Sequence, residues 1–291
     1  GKIYIGNNGK FKKISETSRD ASLGKVYSRV TKLLGMKPWE HEYKVMGLAP
    51  YENKKYFEKL KKNVFENLIY LDKKKLCFRK KSILSMNYCY DYLQKNLLGE
   101  RFDNISGALQ DFTEEIVVNL IKEAVKKTKI SSVTLGGGVF MNVKVNSLIS
   151  KIVGVKKLFI MPSSGDESLS MGAALHCYYE KTQDKNLSQS KLNNLYFGRQ
   201  YTNKNEKNAI NKLIGKNKKY VIYEKNINVK AATLLNSGKV IGRCVNRSEW
   251  GARALGNRSI LSRPDNYLMV DKINDMVKKR DFWMPFAPSI L

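Results

Sequence analysis

One stretch limits the fold more than any other. From Asp103 to Lys129 apolar residues recur at helical spacing, and directly afterwards SVTLGGG reads as a short β-branched strand that ends in three glycines. A long helix feeding a strand that breaks into a glycine loop is the strand-to-loop junction of an α/β fold. A further helix and strand follow. Helical spacing near Asn142–Ile149 leads into the strand KKLFIMP, and SSGDESLSMGAALHCYYE then reads as a loop opening into another helix.

Upstream, Lys2–Ile5 and Phe11–Ser15, joined by GNNGK, predict a β-hairpin of the Asn-Gly class. Ser22 can start the helix SLGKVYSRVTKLLG, whose Leu23, Val26, Tyr27, Val30, Leu33 and Leu34 share one face and which stops at Gly35. The lysine- and aromatic-rich segment from about Asn53 to Leu98 carries no motif and reads as an insertion. Between Glu180 and Asn194 the polar run TQDKNLSQSKLNN reads as a linker. It divides the chain into a domain over residues 1–190 and a second over 195–291, for which the strand KYVIYE, the helix VKAATLLNSG and the strand KVIGRCV are expected.

Composition excludes some classes. With 42% hydrophobic and 27% charged residues and no apolar run of the ~20 residues that cross a bilayer, the chain reads as a globular protein with no membrane partner. The opening GKIYIGNNGKFKK lacks a secretory leader, which predicts a cytoplasmic enzyme. Cys77, Cys89, Cys177 and Cys244 form no CxxC pair and read as reduced thiols. A net charge of +27 raises nucleic acid as a partner, but lysine is spread over nearly every segment, so nucleic acid is not the expected partner.

Three constellations carry chemistry. Gly136, Gly137 and Gly138, with Asn142 one turn on, could bring backbone N–H groups close to a phosphate, or could simply make a tight strand-to-helix turn. Asp166, in the polar loop after Ser163, Ser164 and Gly165, could complement a helix dipole or ligate a metal. In EWGARALGNRSILSRPDN and INDMVKKRDFWMPFAPSIL, Arg253, Arg258, Lys278 and Arg280 stand with Asn257, Ser259 and Asn274 among glycines and aromatics. Arginine forks match phosphate oxygens in pairs, so this density suits a phosphorylated substrate. GxSxG and HExxH are absent, and Gly215 with Lys216 makes no P-loop.

In order, SLGKVYSRVTKLLG, EYKVMGLAPY, LGGGVFMNVKVN, SSGDESLSMGAAL, WGARALGNRSIL and KKRDFWMPFAPSIL resemble the NodU/CmcH-type O-carbamoyltransferases over nearly the whole chain. The resemblance implies an actin-like ASKHA transfer domain, of which this chain carries the second half. It also implies part of an α/β domain similar to threonylcarbamoyl-adenylate synthases. In such enzymes carbamoyl phosphate and ATP, with magnesium, give carbamoyl-adenylate, and the carbamoyl group passes to a hydroxyl of a saccharide or natural-product acceptor at an Fe(II)-type metal site.

Carried over residue by residue, Asp166 is the metal ligand. Gly136, Gly137, Gly138, Asn142, Ser163, Ser164 and Gly165, with Lys44 and Gly47 of KVMGLAP, line the nucleotide pocket. Arg253, Asn257, Arg258, Ser259, Lys278 and Arg280 hold carbamoyl phosphate and ATP, and Arg253, Arg258, Lys278 and Arg280 are the expected catalytic groups. Three positions depart from the family: Asn246 replaces a glycine, Ala252 a proline, and Met284 an arginine before PFAP. The family's histidine ligands and Asp-Gly nucleotide loop precede the hairpin, and its second domain continues past PFAPSIL. The resemblance therefore implies a partial chain, inactive alone. Two other readings remain open: a tRNA-directed threonylcarbamoyl-type transferase, and a non-catalytic nucleotide-binding ASKHA scaffold.

Overall fold

The computed structural model describes residues 1–7, 9–184, 192–213 and 225–289, with the side chains of residues 276–278 outside that set. The strand expected over KYVIYE and most of the expected linker lie outside the described residues. The chain divides into two compact units, residues 1–189 and 190–291.

The first unit opens with β1 (Lys2–Asn7) and β2 (Lys10–Glu16), paired antiparallel so that Asn7 faces Lys10 across the Asn-Gly turn. The Ser15 hydroxyl donates to the carbonyls of Lys75 (2.7 Å) and Leu76 (2.6 Å), tying this hairpin to a second one, β3 (Ile69–Asp72) with β4 (Cys77–Lys80). Helix α1 (Leu23–Leu33) buries Leu23, Val26, Tyr27 and Val30, the face that the sequence spacing marks, and ends before Gly35.

Around it lie α2 (Glu42–Leu48), α3 (Lys54–Asn63), α4 (Tyr90–Leu97) and the long α5 (Phe102–Thr128). Helix α5 is the spine of the unit: Ile105, Ala108, Leu109, Phe112, Ile116, Val117 and Ile121 all enter the core. Lys129, in the left-handed region, terminates it through a hydrogen bond to the Val125 carbonyl.

The segment from Asn53 to Leu98 is not an appendage. Phe57, Leu60, Phe65, Leu68, Ile69, Phe78, Met86, Leu93 and Leu97 belong to the same buried cluster as α1 and α5. The Phe65 and Phe112 rings stack with centroids 6.2 Å apart. Lys61 of α3 also reaches Asp111 (2.6 Å) and Glu115 (2.5 Å) of α5. The lysines that made this stretch read as an insertion lie on its solvent side, while its apolar residues complete the core.

Beyond α5, β5 (Ser132–Leu135), α6 (Val143–Ser150), β6 (Lys157–Ile160) and α7 (Leu169–Thr182) follow. Strands β5 and β6 run parallel with Leu135 opposite Ile160. The crossover helix α6 buries Val145 and Ile149 in the core, as a βαβ unit requires.

The second unit holds α8 (Asn203–Leu213), α9 (Ile227–Asn236), the antiparallel pair β7 (Ile241–Cys244) and β8 (Arg258–Leu261), and α10 (Leu268–Asp271), which runs into a π-helical turn over Lys272–Lys278. Its buried apolar residues among those described are Met269, Ile273 and Met284. The architecture is mixed α/β, and no described helix is long and apolar enough to cross a membrane.

Candidate functional site

In α/β folds ligands gather at the carboxyl ends of parallel strands, so the loops leaving β5 and β6 are the first place to look. The two loops are joined. Gly137 N–H donates to the Ser164 carbonyl (2.8 Å), and the Ser164 hydroxyl, buried to 2% exposure, donates back to the Gly137 carbonyl (3.2 Å). Gly137 has φ +103°, a conformation that side-chain-bearing residues avoid. A side chain added at Gly136 or Gly138 would meet no protein atom within 4 Å, so backbone there stays open to a ligand.

Asn142 is fixed from three sides. Its Oδ1 accepts from Val145 N–H (3.2 Å), capping α6, and its amide pairs head-to-tail with that of Gln110: Asn142 Nδ2 donates to Gln110 Oε1 (2.8 Å) and Gln110 Nε2 to Asn142 Oδ1 (3.1 Å). Tyr27 donates its hydroxyl to the same Gln110 Oε1 (3.0 Å), and Gln110 also donates to Glu114 (2.8 Å). Burial, reinforced by the charges of Glu42 and Glu114, pushes the Tyr27 phenol up and keeps it a protonated donor. Asn142 thus serves the loop as a strut that ties α1, α5 and α6 together. Tyr27 and Gln110 support this loop without having been singled out by the motifs; the signal was a glutamine set in the apolar face of α5.

Ser163 has φ +54° and hydrogen-bonds the Glu167 carboxylate. A Cβ added at Gly165 would meet that same carboxylate, the end of a flexible exposed side chain. Asp166 begins a short 3-10 turn and is exposed. Among the described residues no group of three or more His, Cys, Asp or Glu stands ready to hold an iron-type ion. Lys44 and Gly47 both lie on α2, which packs on α1 and α5. A recess of about 690 Å³ between α5 and α6, lined by Glu114, Val118, Lys122 and Leu148 among others, contains none of the expected residues.

In the second unit the loop from Glu249 to Arg258 is organised by a carboxylate. Glu249 Oε1 accepts from the backbone N–H groups of Leu255 (2.9 Å), Asn257 (2.6 Å) and Arg258 (3.1 Å). Desolvation alone would raise its pKa, but these donors outweigh it and hold the carboxyl down at about 2. Asn257 donates to the Arg247 carbonyl (2.9 Å). Ser259 Oγ accepts from Gly256 N–H (3.1 Å). The Arg258 guanidinium points back into the loop and donates to the carbonyls of Val245, Asn246 and Asn257, so it braces the turn.

Arg253 is exposed on the same loop, and Arg280 stacks over the Phe286 ring 5.1 Å from its centroid. The expected role of the Lys278 side chain falls outside the described residues. Gly198 underlies the loop: an added Cβ would lie 2.7 Å from Ser248 Cβ and 2.8 Å from its backbone nitrogen.

These features place the chain among mixed α/β proteins with loop sites at the carboxyl ends of parallel strands. It belongs to the carbamoyltransferase family: residues 2–175 match the family model described as the carbamoyltransferase N-terminus, and residues 232–291 match the one described as the carbamoyltransferase C-terminus. An uncharacterized protein of Methanocaldococcus jannaschii is 34% identical over 99% of this chain and 54% of its own length. Nodulation protein NolNO of Sinorhizobium fredii is 30% identical over 100% of this chain and 42% of its own. Nodulation protein NolO of Bradyrhizobium diazoefficiens is 30% identical over 93% and 48%. The chain spans about half the length of these relatives.

Proposed function

We propose that the protein carrying this chain is an O-carbamoyltransferase that activates carbamoyl phosphate with ATP and delivers the carbamoyl group to a hydroxyl of a saccharide or natural-product acceptor. The observation that carries the reading is the joined pair of glycine and serine loops at the carboxyl ends of β5 and β6, with open space over Gly136 and Gly138 and Asp166 two residues beyond Ser164. We assign the first unit to the ASKHA fold and the second to the threonylcarbamoyl-adenylate-synthase-like fold, supported by the order of the motifs.

In the second unit carbamoyl phosphate releases phosphate to water, and an oxygen of the resulting carbamate attacks the α-phosphorus of ATP, displacing pyrophosphate. ATP enters as its magnesium complex. Arg253, on the Glu249-organised loop, and Arg280, beside Phe286, face the phosphates, where fixed positive charge stabilises the charge that moves during adenylation. In the first unit the acceptor hydroxyl attacks the carbonyl carbon of carbamoyl-adenylate and AMP leaves. The glycine loop holds the nucleotide there. Asp166 stands exposed in the loop after β6.

Carbamoyl-phosphate-dependent exchange of pyrophosphate into ATP by the whole protein is the expected outcome. Its absence would overturn the reading. The net charge of +27 supports one competing reading, a nucleic-acid substrate, which salt-sensitive binding of tRNA together with carbamoyl transfer to it would establish.

A further inference from the structure

Asn274 is the most deeply buried polar residue of the second unit, at 1% exposure, and neither its Oδ1 nor its Nδ2 has a hydrogen-bond partner among the described residues. Native structures rarely leave a buried amide unpaired at both ends, because each end gives up its hydrogen bonds to water. The backbone around it is equally unusual. Asn274 lies in the π-helical turn Lys272–Lys278, a rare geometry that recurs at functional sites. Its carbonyl closes that turn by accepting from Lys279 N–H and from Arg280 N–H (2.8 Å). One short segment therefore holds an unpaired carboxamide and the half-buried Arg280, whose guanidinium stacks on Phe286.

We propose that Asn274 binds the carbamoyl end of the donor, with Arg280 on its phosphate end; this rests on the assignment of carbamoyl phosphate to the second unit. A carbamoyl group carries one carbonyl acceptor and an NH2 donor, which is the complement of a primary carboxamide. The first unit shows how well two such groups pair, in the reciprocal Gln110–Asn142 contact at 2.8 and 3.1 Å. An acetyl group offers the carbonyl but has a methyl where the amine should be, and would leave Asn274 Oδ1 unpaired. Asn274 thus supplies the selectivity for carbamoyl phosphate over acetyl phosphate.

The test uses the whole protein in ATP–pyrophosphate exchange, with acetyl phosphate as competitor, for the wild type, Asn274→Leu and Asn274→Asp. The wild type is expected to bind carbamoyl phosphate at least roughly tenfold more tightly than acetyl phosphate, since sites built to pair a polar group reject analogues lacking it. Both substitutions are expected to raise KM for carbamoyl phosphate by roughly 10- to 100-fold, leave KM for ATP unchanged, and bring the two acyl phosphates towards equal affinity.

Unchanged KM and unchanged discrimination in folded variants would overturn the proposal and leave Asn274 as a host for buried water. Equal affinity of the wild type for the two acyl phosphates would overturn it without any variant, should both substitutions fail to fold. A wild type that exchanges while the variants behave identically defeats this proposal alone; a wild type without carbamoyl-phosphate-dependent exchange defeats the functional reading as well.

Discussion

Asn246 shows what a backbone position can demand of its residue: its φ is +49°. Asparagine tolerates the left-handed region better than any β-branched residue. Asn246→Val is therefore expected to destabilise the second unit by about 1–2 kcal/mol in denaturant melts, with Asn246→Gly close to neutral. Met284 is buried at 4% exposure and serves the small core of that unit.

Glu249 belongs to the same scale. Its carboxyl is depressed from 4.5 to about 2, so its contribution is full above pH 4.5 and is lost as the pH falls towards 2. An acid titration followed by tryptophan fluorescence should show Trp250 changing environment in that window, and Glu249→Gln should shrink the change. Neither role could be read from the sequence. Glu249 acts on residues six to nine positions away, and Arg258 was expected on phosphate because sequence does not say which way a guanidinium points.

Elements were legible where one face carried the signal. Helices α1 and α5 follow the apolar spacing nearly to the residue, and the hairpin β1–β2 follows its Asn-Gly turn. The segment from Asn53 to Leu98 was misread because lysines interrupt an apolar pattern that only the packing makes whole. Phe65, fully buried against Phe112, tests the point: Phe65→Ala should cost about 3–5 kcal/mol in unfolding free energy, where removal from a peripheral insertion would cost little. The Tyr27–Gln110–Asn142 strut links residues 83 and 32 positions apart, so no local pattern announces it. Gln110→Leu removes it, and is expected to weaken nucleotide binding to the glycine loop roughly tenfold while the helical signal in circular dichroism persists.

At the scale of the whole molecule, the buried cluster is concentrated in the first unit. Amides of α5 should therefore exchange with solvent far more slowly than those of β7 and β8, in a native-state hydrogen-exchange experiment. A formal charge of +27 also repels itself, so moving from low salt to about 0.15 M should raise the melting temperature by screening.

Two rims of amide and carbonyl groups run along β5 and β6 with no further strand outside them among the described residues, and Phe159 is 46% exposed between them. Parallel strands are ordinarily interior, and an open rim accepts whatever extended peptide it meets. Turbidity and clumping on a concentrator should begin at the β5–β6 ribbon, and short strand-like peptides added in excess should hold it in solution.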